Sequence, residues 1–234
     1  MKRGDLPGVA SAGPLAQNAP MASPSLPDLS LEVFSERLHG RLPALEAQVV
    51  ERLYAHYQEL ARWNRKLSLI GPGTVGEVVE RHYVESLLAL RFLDDKPLNV
   101  LDIGSGAGFP GLILAAALPS WRLTLIESRQ KKWAFLESAI RAMRLSARAL
   151  NARVGGPLPA GFPDRVDMIL LRAVAPSERL FESVRASVAD QTRLLLWTTD
   201  RPIVKGFSAE REVPVPGTES RRIVELVRGD ARSE

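Results

Sequence analysis

A chain of 234 residues, 45% hydrophobic and 25% charged, has the composition of a globular protein able to bury a sizeable core. It contains no cysteine, which excludes a disulfide framework, a thiolate metal site and chemistry that needs a cysteine nucleophile. The formal net charge of +4 leans toward polyanionic partners, and no stretch approaches the length of a membrane span or a signal peptide. A cytoplasmic monomer that does not engage membranes is the expectation.

Residues 1–28 hold five prolines and no amphipathic period, so they are expected to be disordered; Met21 offers a second start. A helical extension is expected over 29–92. It comprises a short helix at 30–38 and a break at 40–43. A long helix over 45–67 follows, with Val49, Leu53, Tyr57, Leu60, Trp63 and Leu67 on one apolar stripe. Thr74 with Glu77 three residues on has the form of a capping box, and a further helix over 81–92 carries His82, Glu85 and Ser86.

From residue 93 the pattern changes to alternating strands and helices, giving a core domain over 93–228 and a tail at 229–234. Strands are expected at 98–103, 122–127, 145–151, 167–172 and 192–198, and helices at 109–118, 130–143 and 176–188. Two closely spaced β-prone segments at 210–215 and 221–227 close the series. The order predicts an α/β fold: a doubly wound, Rossmann-like sheet with an antiparallel edge.

The first strand runs directly into Gly104, Gly106 and Gly108, with Ser105 between the first two and Phe109 at the loop's end. A glycine turn between strand and helix lets backbone approach a ligand lying across the strand ends. The spacing misses the dinucleotide pattern Gly-x-Gly-x-x-Gly by one residue, which disfavours a nicotinamide reductase. Asp102 just before the loop would repel a diphosphate but not a cation. Glu127, 23 residues after Gly104, is placed to accept hydrogen bonds from a ribose diol, with Ser128 beside it. An adenosine with a cationic centre and no pyrophosphate is S-adenosylmethionine. The cofactor-binding candidates are Asp102, Gly104, Ser105, Gly106, Gly108, Phe109, Glu127, Ser128 and Arg172; no metal is expected.

The missing cysteine argues against C5 methylation of cytosine, and no Asn-Pro-Pro or Asp-Pro-Pro signature for exocyclic amines is present. Acceptors with a ready lone pair remain, such as guanine N7 or an oxygen. Arg172, ending the fourth expected strand, is the first catalytic candidate, and His82 the second. Between Arg129 and Arg153 stand seven basic residues and one acid, Glu137, a candidate phosphate-contacting face.

With these motifs the chain resembles the RsmG (GidB) family of bacterial small-subunit rRNA guanine-N7 methyltransferases. The likeness rests on Trp63-Asn64-Arg65-Lys66, Arg81-His82-Tyr83-Val84-Glu85-Ser86, the run from Asp102 to Gly111, Leu125 to Ser128 with Lys131-Lys132, and Arg172-Ala173. It implies methyl transfer from S-adenosylmethionine to N7 of a guanine in 16S rRNA. The RNA, or the small subunit or its assembly intermediate, would be held by Lys131, Lys132, Arg153 and Arg221. The chain departs from the family pattern at Ser68, at Glu85, at Val154-Gly155-Gly156 and at Thr199-Asp200. Two other readings stand beside it: a methyltransferase for another RNA position or small molecule, and a catalytically weakened ribosome-binding homologue.

Overall fold

In the computed structural model, which describes residues 25–201 and 203–229, strands β1 (Asn99–Ile103), β2 (Arg122–Glu127), β3 (Ala147–Asn151), β4 (Val166–Arg172) and β5 (Val188–Thr198) lie parallel. β6 (Phe207–Pro214) and β7 (Arg222–Arg228) form a hairpin, and β7 pairs antiparallel with β5. The order is β3-β2-β1-β4-β5-β7-β6. The reversal of order at β1 and β4 places a crevice at the carboxyl ends of the strands, where sheets of this kind bind ligands.

One face of the sheet packs against α1 (Leu31–His39), α2 (Ala47–Leu67), α4 (Gly111–Ala117) and α5 (Gln130–Met143). The opposite face, lined by Leu101, Ile103, Ile169 and Leu171, packs against α6 (Glu178–Val184). Strand alternation sorts the two: Met168 and Leu170 of β4 point to the first core, Ile169 and Leu171 to the second. The N-terminal helices thus share one continuous core with the sheet. A second anchor holds them there: Arg193 and Arg211 both bind the fully buried Glu225 and both donate to the Phe92 carbonyl, at 3.1 and 3.3 Å.

Several sequence expectations need revision. Residues 1–24 and 230–234 lie outside the described residues. Order, however, reaches into the stretch expected to be disordered: Leu26 is buried, and the Pro27 carbonyl accepts the Tyr57 hydroxyl. On α2, Trp63 and Leu67 are only half-buried, while the polar His56 and Asn64 are fully enclosed. The helix expected over 81–92 is a composite that starts earlier: a π-helical turn (Val79–Val84), α3 (Glu85–Leu87) and a 3-10 stretch (Leu88–Phe92). Thr74 does not cap it; its hydroxyl lies 3.3 Å from the Gly71 carbonyl and 3.0 Å from His82 Nε2. A short hydroxyl side chain binds its local backbone as readily as it caps a helix.

Candidate functional site

The loop leaving β1 takes its shape from left-handed backbone at Gly104 (φ 75°), Gly106 (φ 53°) and Gly108 (φ 82°). Gly104 and Gly108 have little latitude, because a Cβ would come to 2.5 Å from Val174 Cγ2 on the strand-end loop opposite at the first and to 2.5 Å from Leu112 Cδ1 at the second. The amides of Gly104 and Ser105 both donate to the Ile126 carbonyl, at 2.9 and 3.1 Å, which ties the loop to the end of β2.

Glu127, closing β2, accepts from the amide of Gly106 at 3.1 Å through one oxygen and from that of Arg129 at 2.7 Å through the other. Each carboxylate oxygen offers two lone pairs, so capacity remains for two hydroxyls of a sugar. Its strand neighbour in register is Asn151 of β3, whose side chain donates to the Glu127 carbonyl at 2.9 Å. The open Cβ direction of Gly106 and the acceptor-bearing Glu127 suit a nucleoside lying across the loop.

Asp102 is tied into the fold beneath the loop. Only 1% exposed, it accepts the amide of Gly111 at 3.0 Å, and burial pushes its pKa up to about 7 against the pull of that hydrogen bond. A Cβ at Gly111 would overlap the carboxylate, so this pair locks the start of α4 to β1. The Ser105 hydroxyl turns inward to the Asp102 carbonyl at 2.9 Å, and the Phe109 ring packs among His56, His82 and Tyr83. These three residues build the loop's underside, and Gly104 and Gly106 remain the more exposed part of the loop. Ser128 is exposed beside them.

His56 carries the underside further and was not singled out in the sequence. The steps Leu53, His56, Leu60 along the buried face of α2 were the available signal. Its Nε2 lies 2.9 Å from the Ala107 carbonyl and its Nδ1 2.7 Å from the Tyr83 hydroxyl. Desolvation holds its pKa down at about 4, so the ring is neutral.

Arg172 ends β4 with both terminal nitrogens engaged: Nη2 donates to Glu85 (2.7 Å) and the Arg81 carbonyl (2.6 Å), Nη1 to Ser86 Oγ (3.3 Å) and the His82 carbonyl (3.5 Å). Burial, then the nearby Arg81, depresses its pKa to about 10, leaving it charged. Arg221, entering β7, also binds Glu85, and Arg81 approaches the same carboxylate at 3.8 Å. His82 stands near this cluster with its pKa lowered to about 3 by burial and by Arg172, Arg81 and Arg221. A neutral imidazole against Thr74 and the Phe109 ring cannot donate a proton as an acid at neutral pH.

Arg81, Glu85, Arg172, Val174, Trp197 and Arg221 are among the residues lining a cavity of about 580 Å3. Val174, the residue that confines Gly104, joins this cavity to the glycine loop. The structure therefore brings Arg172 and Arg221 together. Lys131 and Lys132 lie instead on the first turn of α5, the former exposed, and Arg153 is exposed after β3. At the departure after β3, Arg179 donates to the Gly155 carbonyl at 3.1 and 3.2 Å. A larger cavity of about 670 Å3, between Phe181, Phe207 and Arg228, holds none of the loop residues. No helix among the described residues is long and apolar enough to cross a membrane.

Six strands of one direction with a reversed seventh, a glycine loop after the first and an acid closing the second define the Rossmann-like, S-adenosylmethionine-dependent methyltransferases. Solved structures agree on the fold. A SAM-dependent methyltransferase from Aquifex aeolicus superposes with a TM-score of 0.50 at 15% identity, covering 66% of this chain and 94% of the other. Residues 49–230 match the family described as GidB, rRNA small subunit methyltransferase G, and the chain belongs to that family. Among its relatives, ribosomal RNA small subunit methyltransferase G of Wolinella succinogenes is 38% identical over 154 residues, spanning 66% of this chain and 77% of the relative. That of Methylobacterium radiotolerans is 34% identical over 80% of this chain and 85% of its own length.

Proposed function

We propose that this protein transfers a methyl group from S-adenosylmethionine to N7 of a guanine in 16S rRNA, acting on the RNA within the small ribosomal subunit or its assembly intermediate. The family and its relatives, named for small-subunit rRNA, support the substrate. The observation that carries the chemistry is the state of the groups around Arg172: Glu85 is bound by guanidinium groups, and His82 is neutral with its imidazole against a hydroxyl. Such a site is poorly equipped to take a proton from its acceptor, and guanine N7 has none to give.

Bound S-adenosylmethionine would supply an activated methyl on a sulfonium. The chain's own work is to hold and orient. Gly104, Gly106 and Gly108 allow close approach, and Glu127 takes the ribose hydroxyls. Arg172 fixes the wall between the loop and the acceptor cavity, and Lys131, Lys132, Arg153 and Arg221 contact phosphates. Alignment of acceptor and methyl at about 3–3.5 Å is the main contribution such a site makes to rate.

Incubation of the full chain with labelled cofactor and unmodified small-subunit particles, followed by mapping of the methylated base and atom, tests the proposal. Label at guanine N7 of 16S rRNA is expected. Label at another atom or in another RNA, or none with any particle, refutes it.

A further inference from the structure

Trp197 lines the acceptor cavity, and the chemistry above leaves it unused. It pairs in register with Arg172 across β4 and β5, and alternation puts both side chains on the same face of the sheet. Its indole N–H donates to the Glu85 carbonyl at 3.1 Å, which fixes the ring's orientation at the cavity wall. Beside it, Arg81, Arg172 and Arg221 converge on one carboxylate, Glu85, with Glu77 acting on Arg221 and the buried Asp102 on Arg172 without an ion pair. The Nε of Arg81 is buried with no hydrogen-bond acceptor. Asp200 sits at the exposed rim. An indole in the lining next to three guanidinium groups that share one directly bound carboxylate, in about 580 Å3, matches one chemistry above others: a planar base attached to a phosphate.

We infer that this cavity is a pocket for a single extrahelical nucleotide of an RNA chain, its base stacked on Trp197 and its phosphate drawn to the Arg81–Arg172–Arg221 cluster. The inference rests on the reading that the methyl acceptor enters beside Arg172, and it specifies how that acceptor is held. An edge atom such as N7 is out of reach of a concave site while the base remains stacked in a helix, so the nucleotide must leave the stack. Aromatic faces receive such bases, and guanidinium groups receive the phosphate in geometry a lone ammonium does not match. Trp197 is then the residue that selects a flat acceptor. Glu85 keeps the three arginines from repelling one another before RNA arrives.

Two measurements test this. In the first, guanosine 5′-monophosphate, 7-methylguanosine 5′-monophosphate and guanosine are titrated into the full chain while tryptophan fluorescence is followed. Quenching by both nucleotides is expected to be lost in Trp197→Leu, which keeps Trp63, Trp121 and Trp133. Guanosine should bind about 10-fold more weakly than its monophosphate. In the second, particle methylation and S-adenosylhomocysteine affinity are compared for Trp197→Leu and Trp197→Phe. Loss of stacking should lower turnover by about 10-fold or more in the leucine variant and leave cofactor affinity unchanged, with the phenylalanine variant recovering most of the rate.

Quenching that persists in Trp197→Leu, or guanosine binding as tightly as its phosphate, overturns the inference. So does a phenylalanine variant as impaired as the leucine one, since that marks the indole N–H as a purely structural tie. Should the wild-type chain methylate no particle, the proposed function fails, and the nucleotide titration still decides this pocket on its own.

Discussion

His56 Nε2 lies 2.9 Å from the carbonyl oxygen of Ala107, so a residue on the second helix holds the glycine loop from beneath. A carbonyl can only accept, so Nε2 carries the proton and Nδ1 accepts the Tyr83 hydroxyl at 2.7 Å. The loop's conformation is thereby tied to two helical elements of the N-terminal extension.

Replacing His56 by Leu should leave the Ala107 carbonyl and the Tyr83 hydroxyl buried and unpaired, at about 1–3 kcal/mol for each group. S-adenosylhomocysteine affinity, measured calorimetrically, is expected to fall about 10-fold. His56→Gln, whose amide can donate to one partner and accept from the other, should recover most of it. Equal affinities for wild type and the leucine variant would show that the loop needs no such support.

Acid should destabilise the protein through the same residue. The folded pKa of His56, about 4, lies below the ordinary value of 6.5 because burial disfavours the charged ring, with Glu59 a smaller opposing influence. The stability linked to it is present above pH 6.5 and is lost as pH falls toward 4, about 3 kcal/mol at most. Urea unfolding of His56→Gln between these pH values should show a shallower decline than wild type. Parallel curves would mean that this imidazole does not titrate on unfolding as described.

Gly104→Ala meets two obstacles, a φ of 75° and Val174 Cγ2 within 2.5 Å of the new methyl. Loss of roughly 1–3 kcal/mol of stability is expected, with weakened cofactor binding. Val174→Ala in the same chain should restore part of the stability by removing the overlap, but not the backbone strain. Strict additivity in a double-mutant cycle would rule out the contact as the cause.

Arg172→Ala should lower turnover on particles far more than it weakens S-adenosylhomocysteine binding. It should also lower stability by roughly 2–3 kcal/mol, because Glu85 keeps Arg221 but loses its direct partner at 2.7 Å. Equal losses in turnover and cofactor affinity would move Arg172 from the acceptor side to the cofactor side.

The sheet was legible because apolar runs, clear for every parallel strand but the third, alternate with helical patterns, and the glycine loop because three glycines exceed what a turn needs. The bond from Gly111 to Asp102 was not legible for a physical reason: at the end of a buried strand the same carboxylate can face a ligand or bind the amide of the following helix, and only packing decides. His56 escaped notice because a polar residue on an apolar stripe looks like an interruption until its two partners, 27 and 51 residues away, are brought together. The cluster of Arg81, Arg172 and Arg221 on Glu85 joins segments 136 residues apart and has no local signature.

Titration of S-adenosylhomocysteine into the full chain and into Glu127→Gln bears most directly on the central claim, that the crevice over the glycine loop holds an adenosyl sulfonium by its sugar. Saturable binding is expected in the full chain, weakened roughly 10-fold in the variant and unaffected by excess NADH. Absence of binding, a variant as tight as wild type, or displacement by NADH would contradict it.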